Sequence, residues 1–386
     1  MRRFRVVHVI SSLAVGGAEV LLLSLVAKLR EAGFDSEVIL LGTEDALKPQ
    51  FQQLGISVHS IGMARKAFPT LRQAARLVRI GRALQPDLVQ GWMAHGNLAG
   101  VLLRITLFRS VPLLWSVHQT LGQYDAQPLN TRFSIRALAL LSWIPRQIIY
   151  VSRTSRAEHR AMGFRDSGAI HIPNGVDTGA FRGGAERRAG SRTTLGLHAS
   201  ARVVGHVGRH HPSKDQPTLL SALGLLLLED RDAYGILIGQ GLTPDNPELA
   251  QWTRDSRFAN RLLLLGPRSD VADLLPGFDV FCLSSASEAC PVALVEAMSS
   301  GLRCVATDVG DCAWMLGESG EVVPAGNPAA LAAALRRQLD RSPEGAAIDS
   351  GRARERVLAV FSQERMFEQY RRVYRAAIEG TAVRDP

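Results

Sequence analysis

The chain has 386 residues, 46% of them hydrophobic and 21% charged, with a formal net charge of +9. That length exceeds one ordinary core and predicts two domains. No apolar run reaches the roughly 18–20 residues of a spanning helix, and the lack of low-complexity or aromatic-interleaved basic tracts argues against a disordered chain or a nucleic-acid reader.

The N-terminus starts basic like a signal peptide, but Ser11, Ser12, Gly16, Gly17 and Glu19 interrupt its apolar stretch and no clean cleavage site follows. It therefore reads as the first strand of a cytoplasmic protein, RVVHVIS (5–11), leading through a glycine turn into a helix over 16–33. Strand-like runs SEVILL (36–41), ISVHSI (56–61), DLVQGW (87–92), PLLWSVH (112–118) and QIIYVS (147–152) follow, mostly with helical stretches between. This alternation predicts a parallel α/β sheet. The segment IHIPNGVDTGAF (170–181) breaks the rhythm, Asn174-Gly175 being a turn signal, and a Gly/Arg/Ser/Thr-rich stretch continues it. The pattern restarts with ARVVGHVG (201–208), YGILIG, RLLLLG, DVFCLS, LRCVAT and GEVVP. The expected class is α/β: two doubly wound Rossmann-like domains, 1–173 and 196–362, facing across a cleft. The stretch 174–195 serves as linker, and a closing helix in 363–386 returns to the first domain.

Charge is uneven between the halves. Residues 1–174 carry 21 Lys/Arg against 10 Asp/Glu, net +11, whereas residues 175–386 carry 24 against 26, net −2. In the basic segment 64–84, Arg72, Arg76 and Arg79 fall on one helical stripe, which suits either a solvated face or a peripheral contact with an anionic membrane. Cys282, Cys290, Cys304 and Cys312 form no C-x-x-C pair and have no histidine at zinc spacing, so they read as reduced, mostly buried thiols.

The stretch SSASEACPVALVEAMSSG (284–301) places Glu288 and Glu296 around the start of an apolar helix. Pro291 suits the first helical position, which leaves the amides of Val292 and Ala293 free to meet an anion. Carboxylates accept hydrogen bonds in pairs and suit vicinal hydroxyls. Arg209 and Lys214 lie just past a strand. Gly16-Gly17, His118 and Gly239-Gln240-Gly241 also fall at strand ends, where open α/β sheets bind ligands.

The E-x(7)-E pattern opened by E-x-x-P, together with VGGAE, IPNGVD, VGRHHPSKD and GESGEVVP in order along the chain, resembles the retaining family 4 glycosyltransferases of GT-B fold, in particular those of bacterial polysaccharide assembly. The resemblance implies that Arg209 and Lys214 hold the donor diphosphate, that Glu296 binds the nucleotide ribose, and that Glu288 contacts the sugar near the reacting carbon. It also implies that Gly16 and Gly17 form the loop where donor and acceptor approach, and that His118 lies near the donor sugar. His95 is a second candidate, and His210 and His211 stay unassigned. The implied reaction moves a hexose-type sugar from a UDP or GDP sugar to a lipid-linked or polysaccharide acceptor, with retention.

The chain departs from the family pattern where Asp215 replaces a usual glycine after Lys214, where Ala289 follows Glu288, where Cys290 precedes the proline, and at Trp314. No cofactor or metal is expected, because the only D-x-D, Asp230-Arg231-Asp232, reads as a charged turn. Two alternatives are weighed. A nicotinamide-dependent oxidoreductase needs G-x-G-x-x-G after the first strand, which SSLAVGGAE does not fit. A non-catalytic nucleotide-sugar or glycan-binding partner would bind donor without transferring it.

Overall fold

The computed structural model describes residues 3–64, 69–107, 111–122, 124–253, 255–258, 260–381 and 383. Arg65 and Lys66 of the basic segment, and part of the C-terminal tail, lie outside them. The chain divides into two compact units, residues 1–174 with 364–386, and residues 175–363.

In the first unit, strands β1 (Phe4–Ile10), β2 (Phe34–Leu40), β3 (Val58–Ser60), β4 (Leu88–Trp92), β5 (Leu113–Val117), β6 (Gln147–Tyr150) and β7 (Ala169–His171) form a parallel sheet ordered β3-β2-β1-β4-β5-β6-β7. Strand β7 lies at the end of the expected first domain and overlaps the start of the segment 170–181 that breaks the rhythm. Side chains alternate along β1: Val6 and Ile10 pack with α1 (Gly17–Glu31) and α2 (Lys48–Gln53), while Val7 and Val9 pack on the opposite face. That opposite face is covered by α3 (Leu71–Leu84), α4 (Met93–Thr106) and α5 (Leu129–Leu141), through Leu77, Val101 and Ile135. Helix α6 (Arg153–Ala161) follows β6, and its His159 ring lies 5.6 Å from Tyr150. Apolar residues on both faces of a parallel sheet explain why these strands read as continuous rather than alternating runs.

The second unit begins with α7 (Ala185–Thr194), where a linker was expected. Its buried residues are Ser191 and Arg192. Ser191 Oγ donates to the Leu274 carbonyl at 2.7 Å, and Arg192 pairs with Asp279 at 2.8 Å. Polar groups anchor this helix, so it leaves no apolar period in the sequence. Strands β8 (Arg202–Val207), β9 (Ala233–Ile238), β10 (Leu262–Leu264), β11 (Val280–Leu283), β12 (Arg303–Thr307) and β13 (Gly320–Val323) form a parallel sheet ordered β10-β9-β8-β11-β12-β13. Helices α8 (Gln216–Glu229), α9 (Ala250–Thr253), α10 (Val271–Leu274), α11 (Val292–Ser299), α12 (Cys312–Leu316), α13 (Pro328–Leu339) and α14 (Pro343–Arg356) complete it.

Helix α15 (Gln363–Glu379) belongs to the first unit. Met366, Tyr370, Val373, Tyr374 and Ala377 repeat at helical spacing and join the core on the α1 face.

Candidate active site

Each sheet winds outward in both directions from one pair of strands, β1 beside β4 in the first unit and β8 beside β11 in the second. Loops leaving the carboxyl ends of such a pair diverge and open a crevice for ligand.

In the second unit these loops are residues 208–215 and 284–291, and they are bound together. Ser213 O accepts from the amides of Ala286 (2.9 Å) and Ser287 (3.3 Å), and Ser284 Oγ donates to the Lys214 carbonyl at 2.9 Å. Glu288 Oε1 takes Lys214 Nζ at 2.5 Å and Ser285 Oγ at 2.6 Å. Thr307 Oγ1 donates to Ser285 O at 2.6 Å and steadies that loop from β12. Gly310, at φ +55°, passes so close that a Cβ there would lie 2.1 Å from the Glu288 carbonyl. Arg209 is exposed, and its guanidinium has no ion-pair partner among the described residues. Arg209 and Lys214 stand on the same 208–215 loop; after desolvation, their charges and that of His210 hold the His211 imidazole below its ordinary value.

Helix α11 starts at Val292, with Pro291 as its cap at ψ 113°. The proline thus stands one position earlier than expected, its extended ψ keeping it outside the helix. Neither the Val292 nor the Ala293 amide finds a backbone acceptor among the described residues. Glu296 lies on the second turn, partly covered, and desolvation pushes its carboxyl up to about 7. This unit therefore gathers two cations, two free amides and two carboxylates at its switch point.

Sequence reasoning missed His206, which lies on β8 and is 1% exposed. Its Nδ1 donates to the Cys282 carbonyl at 3.0 Å, so Nε2 carries the lone pair, and burial holds the pKa down to about 4. Nε2 has no hydrogen-bond partner among the described residues, and it lies 3.1 Å from where a Gly208 Cβ would sit. The available signal was a histidine in the otherwise apolar strand VVGHV.

In the first unit, Gly16 caps α1 and Gly17 opens it. Neither has positive φ, and the space beside Gly17 is open, so the backbone itself demands no glycine there. His118 directly follows β5. Its Nε2 lies 2.7 Å from Ser116 Oγ, and its ring stacks on Trp92 at 5.1 Å with 20° between planes. Burial lowers its pKa to about 3. Tyr370 of α15 stacks on the same Trp92 at 6.4 Å and reaches Ser116 Oγ at 3.5 Å. His95, on the first turn of α4, lines a cavity of about 280 Å³ with Ser11, Ser12, Glu44, Asn130 and Thr131, and desolvation lowers its pKa. Met93 just before it is held at φ +61°, a left-handed conformation that costs a non-glycine residue roughly 1 kcal/mol or more.

The family departures have local explanations. Asp215 is left-handed at φ 47°, where glycine is the easy choice, and its side chain caps α8 by accepting from the Thr218 amide at 3.3 Å. Trp314 packs on Phe361 at 5.3 Å with Arg356 over its ring. His210 and His211 turn to Glu248 and Ser213. Asp230 pairs with Arg202 at 2.9 Å and accepts the Asp232 amide, which makes the D-x-D a turn. The four cysteines are buried free thiols. Among the described residues no group of three His, Cys, Asp or Glu is placed to hold a metal ion.

Comparison with known proteins decides the family. Models described as Glycosyltransferase Family 4 and Glycosyl transferases group 1 match residues 15–180 and 201–341. D-inositol 3-phosphate glycosyltransferase of Mycobacterium ulcerans is 30% identical over 96% of this chain and 85% of its own length. The chain belongs to glycosyltransferase family 4. A second relative of this family 4 chain is the UDP-Gal:alpha-D-GlcNAc-diphosphoundecaprenol alpha-1,3-galactosyltransferase of Escherichia coli, 33% identical over only 36% of each protein. The Anabaena protein HepE, solved in complex with UDP-glucose, shares the fold at a TM-score of 0.83 and 23% identity, covering 97% of this chain and all of that one. The fold is therefore GT-B, as the sequence motifs implied.

Proposed function

We propose that this family 4 chain transfers a hexose-type sugar from a nucleoside diphosphate sugar, UDP or GDP, to a lipid-linked or polysaccharide acceptor, retaining the anomeric configuration. The observation that carries the proposal is the Lys214–Glu288 contact between the two loops at the switch point of the second sheet, with Arg209 on the first loop and the α11 amides at the end of the second. Two cations and two amide hydrogens match the charge of a diphosphate. Glu296, four residues into the same helix, suits the ribose hydroxyls, and Glu288 suits those of the sugar. The relative that uses UDP-Gal makes UDP the first nucleotide to try.

In this reading the first unit takes the acceptor, with the cavity by His95 receiving acceptor hydroxyls, and Gly16, Gly17 and His118 would border the transferred sugar. In the retaining step, the bond from the anomeric carbon to the diphosphate oxygen breaks. The acceptor oxygen bonds to the same face, and its proton passes to the departing phosphate oxygen. Arg209 and Lys214 would neutralise that leaving group without a metal ion. The site belongs to a cytoplasmic enzyme in this reading.

Calorimetric titration with UDP, GDP, ADP and NAD in EDTA tests the donor site. One nucleoside diphosphate is expected to bind; binding of NAD alone would overturn the reading. The anomeric proton coupling of the product then tests retention. Donor binding with no transfer to any acceptor would favour a non-catalytic binding partner instead.

A further inference from the structure

Helices α3, α4 and α5 contain no Asp or Glu, and from residue 46 to 157 the chain carries 14 Lys/Arg against two acids, Asp87 and Asp125. On α3 the side chains of Arg72, Arg76 and Arg79 are all exposed. These three helices cover one face of the first sheet, where Leu77, Val101, Ile135 and Leu138 point inward.

Their outward side is not uniformly polar. On α5, Leu129 is 80% exposed, Phe133 62% and Leu140 79%, and Trp143 just beyond the helix is 67% exposed. Leu129, Phe133, Arg136 and Leu140 stand at i, i+4, i+7 and i+11, one stripe of the helix, while Ser134, Ile135 and Leu138 occupy the buried side. Leu71 on α3 and Ile105 on α4 are exposed as well, 90% and 67%. Single exposed apolar residues are ordinary on a soluble surface, but the stripe along α5 with Trp143 beyond it is a run of them on and beside one helix. Arg132 flanks the stripe and Arg136 lies within it, each over the Tyr124 ring, and Arg132 also pairs with Asp125 at 3.0 Å.

We infer that the α3–α5 face docks on an anionic bilayer, with the α5 stripe and Trp143 entering the headgroup layer and the α3 arginines lying over it. An in-plane helix with an apolar stripe, a terminal tryptophan and a cationic surround has the chemistry of an interfacial anchor. A second copy of the chain is the poorer occupant, since a two-fold contact would bring the same acid-free, cationic helices against each other. The position is also informative. The first turn of α5 contributes Asn130 and Thr131 to the cavity that holds His95, and Leu129, beside them in the chain, begins the stripe. Docked in this way, the cavity opens at the lipid interface, where the head of a lipid-linked acceptor would enter it; this last step rests on the proposed function, whereas the docking does not.

Flotation of the whole chain with vesicles, without any substrate, tests the docking. Wild type is expected to float with phosphatidylglycerol–phosphatidylcholine vesicles and to stay behind with phosphatidylcholine alone. The Phe133→Ser/Leu140→Ser variant and the Arg76→Glu/Arg79→Glu variant should each lose at least 10-fold in vesicle partitioning, while keeping the wild-type melting profile and nucleoside diphosphate binding. Brominated lipid should quench tryptophan emission, and Trp143→Phe should remove that quenching. Wild type that stays unbound to anionic vesicles would overturn the inference, as would either folded double variant floating like wild type. A dimer in solution that the Phe133→Ser/Leu140→Ser variant splits would assign the face to a second copy and equally overturn it. Loss of nucleotide binding in wild type would sink the proposed function and leave the vesicle result standing.

Discussion

Lys214 Nζ and Glu288 Oε1 lie 2.5 Å apart and join the two loops of the β8–β11 switch point. Both side chains are largely covered, at 20% and 11% exposure, so the contact is less screened than a surface pair. In the proposed reaction the donor diphosphate would compete with Glu288 for this ammonium.

That competition separates the two residues experimentally. Lys214→Met is expected to weaken nucleoside diphosphate binding by about 10-fold or more, the loss of one charged hydrogen bond. Glu288→Gln frees the ammonium, so binding should be unchanged or tighter while transfer falls roughly 100-fold. Calorimetry beside steady-state rates checks both, and weaker binding in Glu288→Gln would contradict the assignment.

Glu296 predicts a pH dependence. Desolvation raises its carboxyl to about 7, so the unliganded site holds it neutral below that pH and ionised above. Ribose hydroxyls donate best to the ionised form, so donor affinity should rise between pH 6 and 8, with proton release on binding at the lower end. Glu296→Gln should lose at least 10-fold in affinity at pH 8 and bind independently of pH in that window. Titrations in buffers of different ionisation enthalpy read both effects.

His118 should remain neutral throughout the physiological range. Burial against Trp92 takes its pKa to about 3, so its nitrogen shifts should be constant from pH 5 to 8 and contribute no acid limb to the rate profile. A midpoint near 6.5 in a histidine-resolved NMR titration would refute the buried stacking. Tyr370→Phe, which removes the contact to Ser116, is expected to lower transfer with nucleotide binding intact.

The Arg192–Asp279 pair is structural. Asp279 accepts from Arg192 (2.8 Å), Arg188 (2.6 Å) and the Val203 amide (2.8 Å), and it ties α7 to the ends of β8 and β11. Asp279→Ala leaves Arg192, 6% exposed, without its anion, and should cost about 3–5 kcal/mol in denaturant unfolding. A change below 1 kcal/mol would show that the pair is already solvated.

Much of the fold was legible because it is written in local periods. The strands around ARVVGHVG and DVFCLS stand within a residue or two of their expected bounds, and the glycine and proline punctuation marked the strand ends. Helix α7 escaped because Ser191 and Arg192, rather than apolar residues, bury its inner side. Strand β7 is followed within a few residues by the Pro173-Asn174-Gly175 turn, so its residues read with that turn. The exposed stripe of α5 escaped for the opposite reason: apolar residues lie on both sides of that helix, and composition cannot say which side faces the sheet.

Position after strand ends and at a helix start marked Arg209, Lys214, Glu288, Val292, Ala293 and Glu296 as candidates, and the family resemblance of their motifs joined them into one proposal. Only the tertiary structure decided that Lys214 reaches Glu288 across 74 positions of chain, that His206 aims an unpaired nitrogen at the Gly208 loop, and that α15 sets Tyr370 beside Ser116 and Trp92. The physical reason is range. Propensity and period act within a turn or a strand, whereas these contacts depend on the parallel order of the sheets, which sequence-distant strands settle together as they bury their side chains.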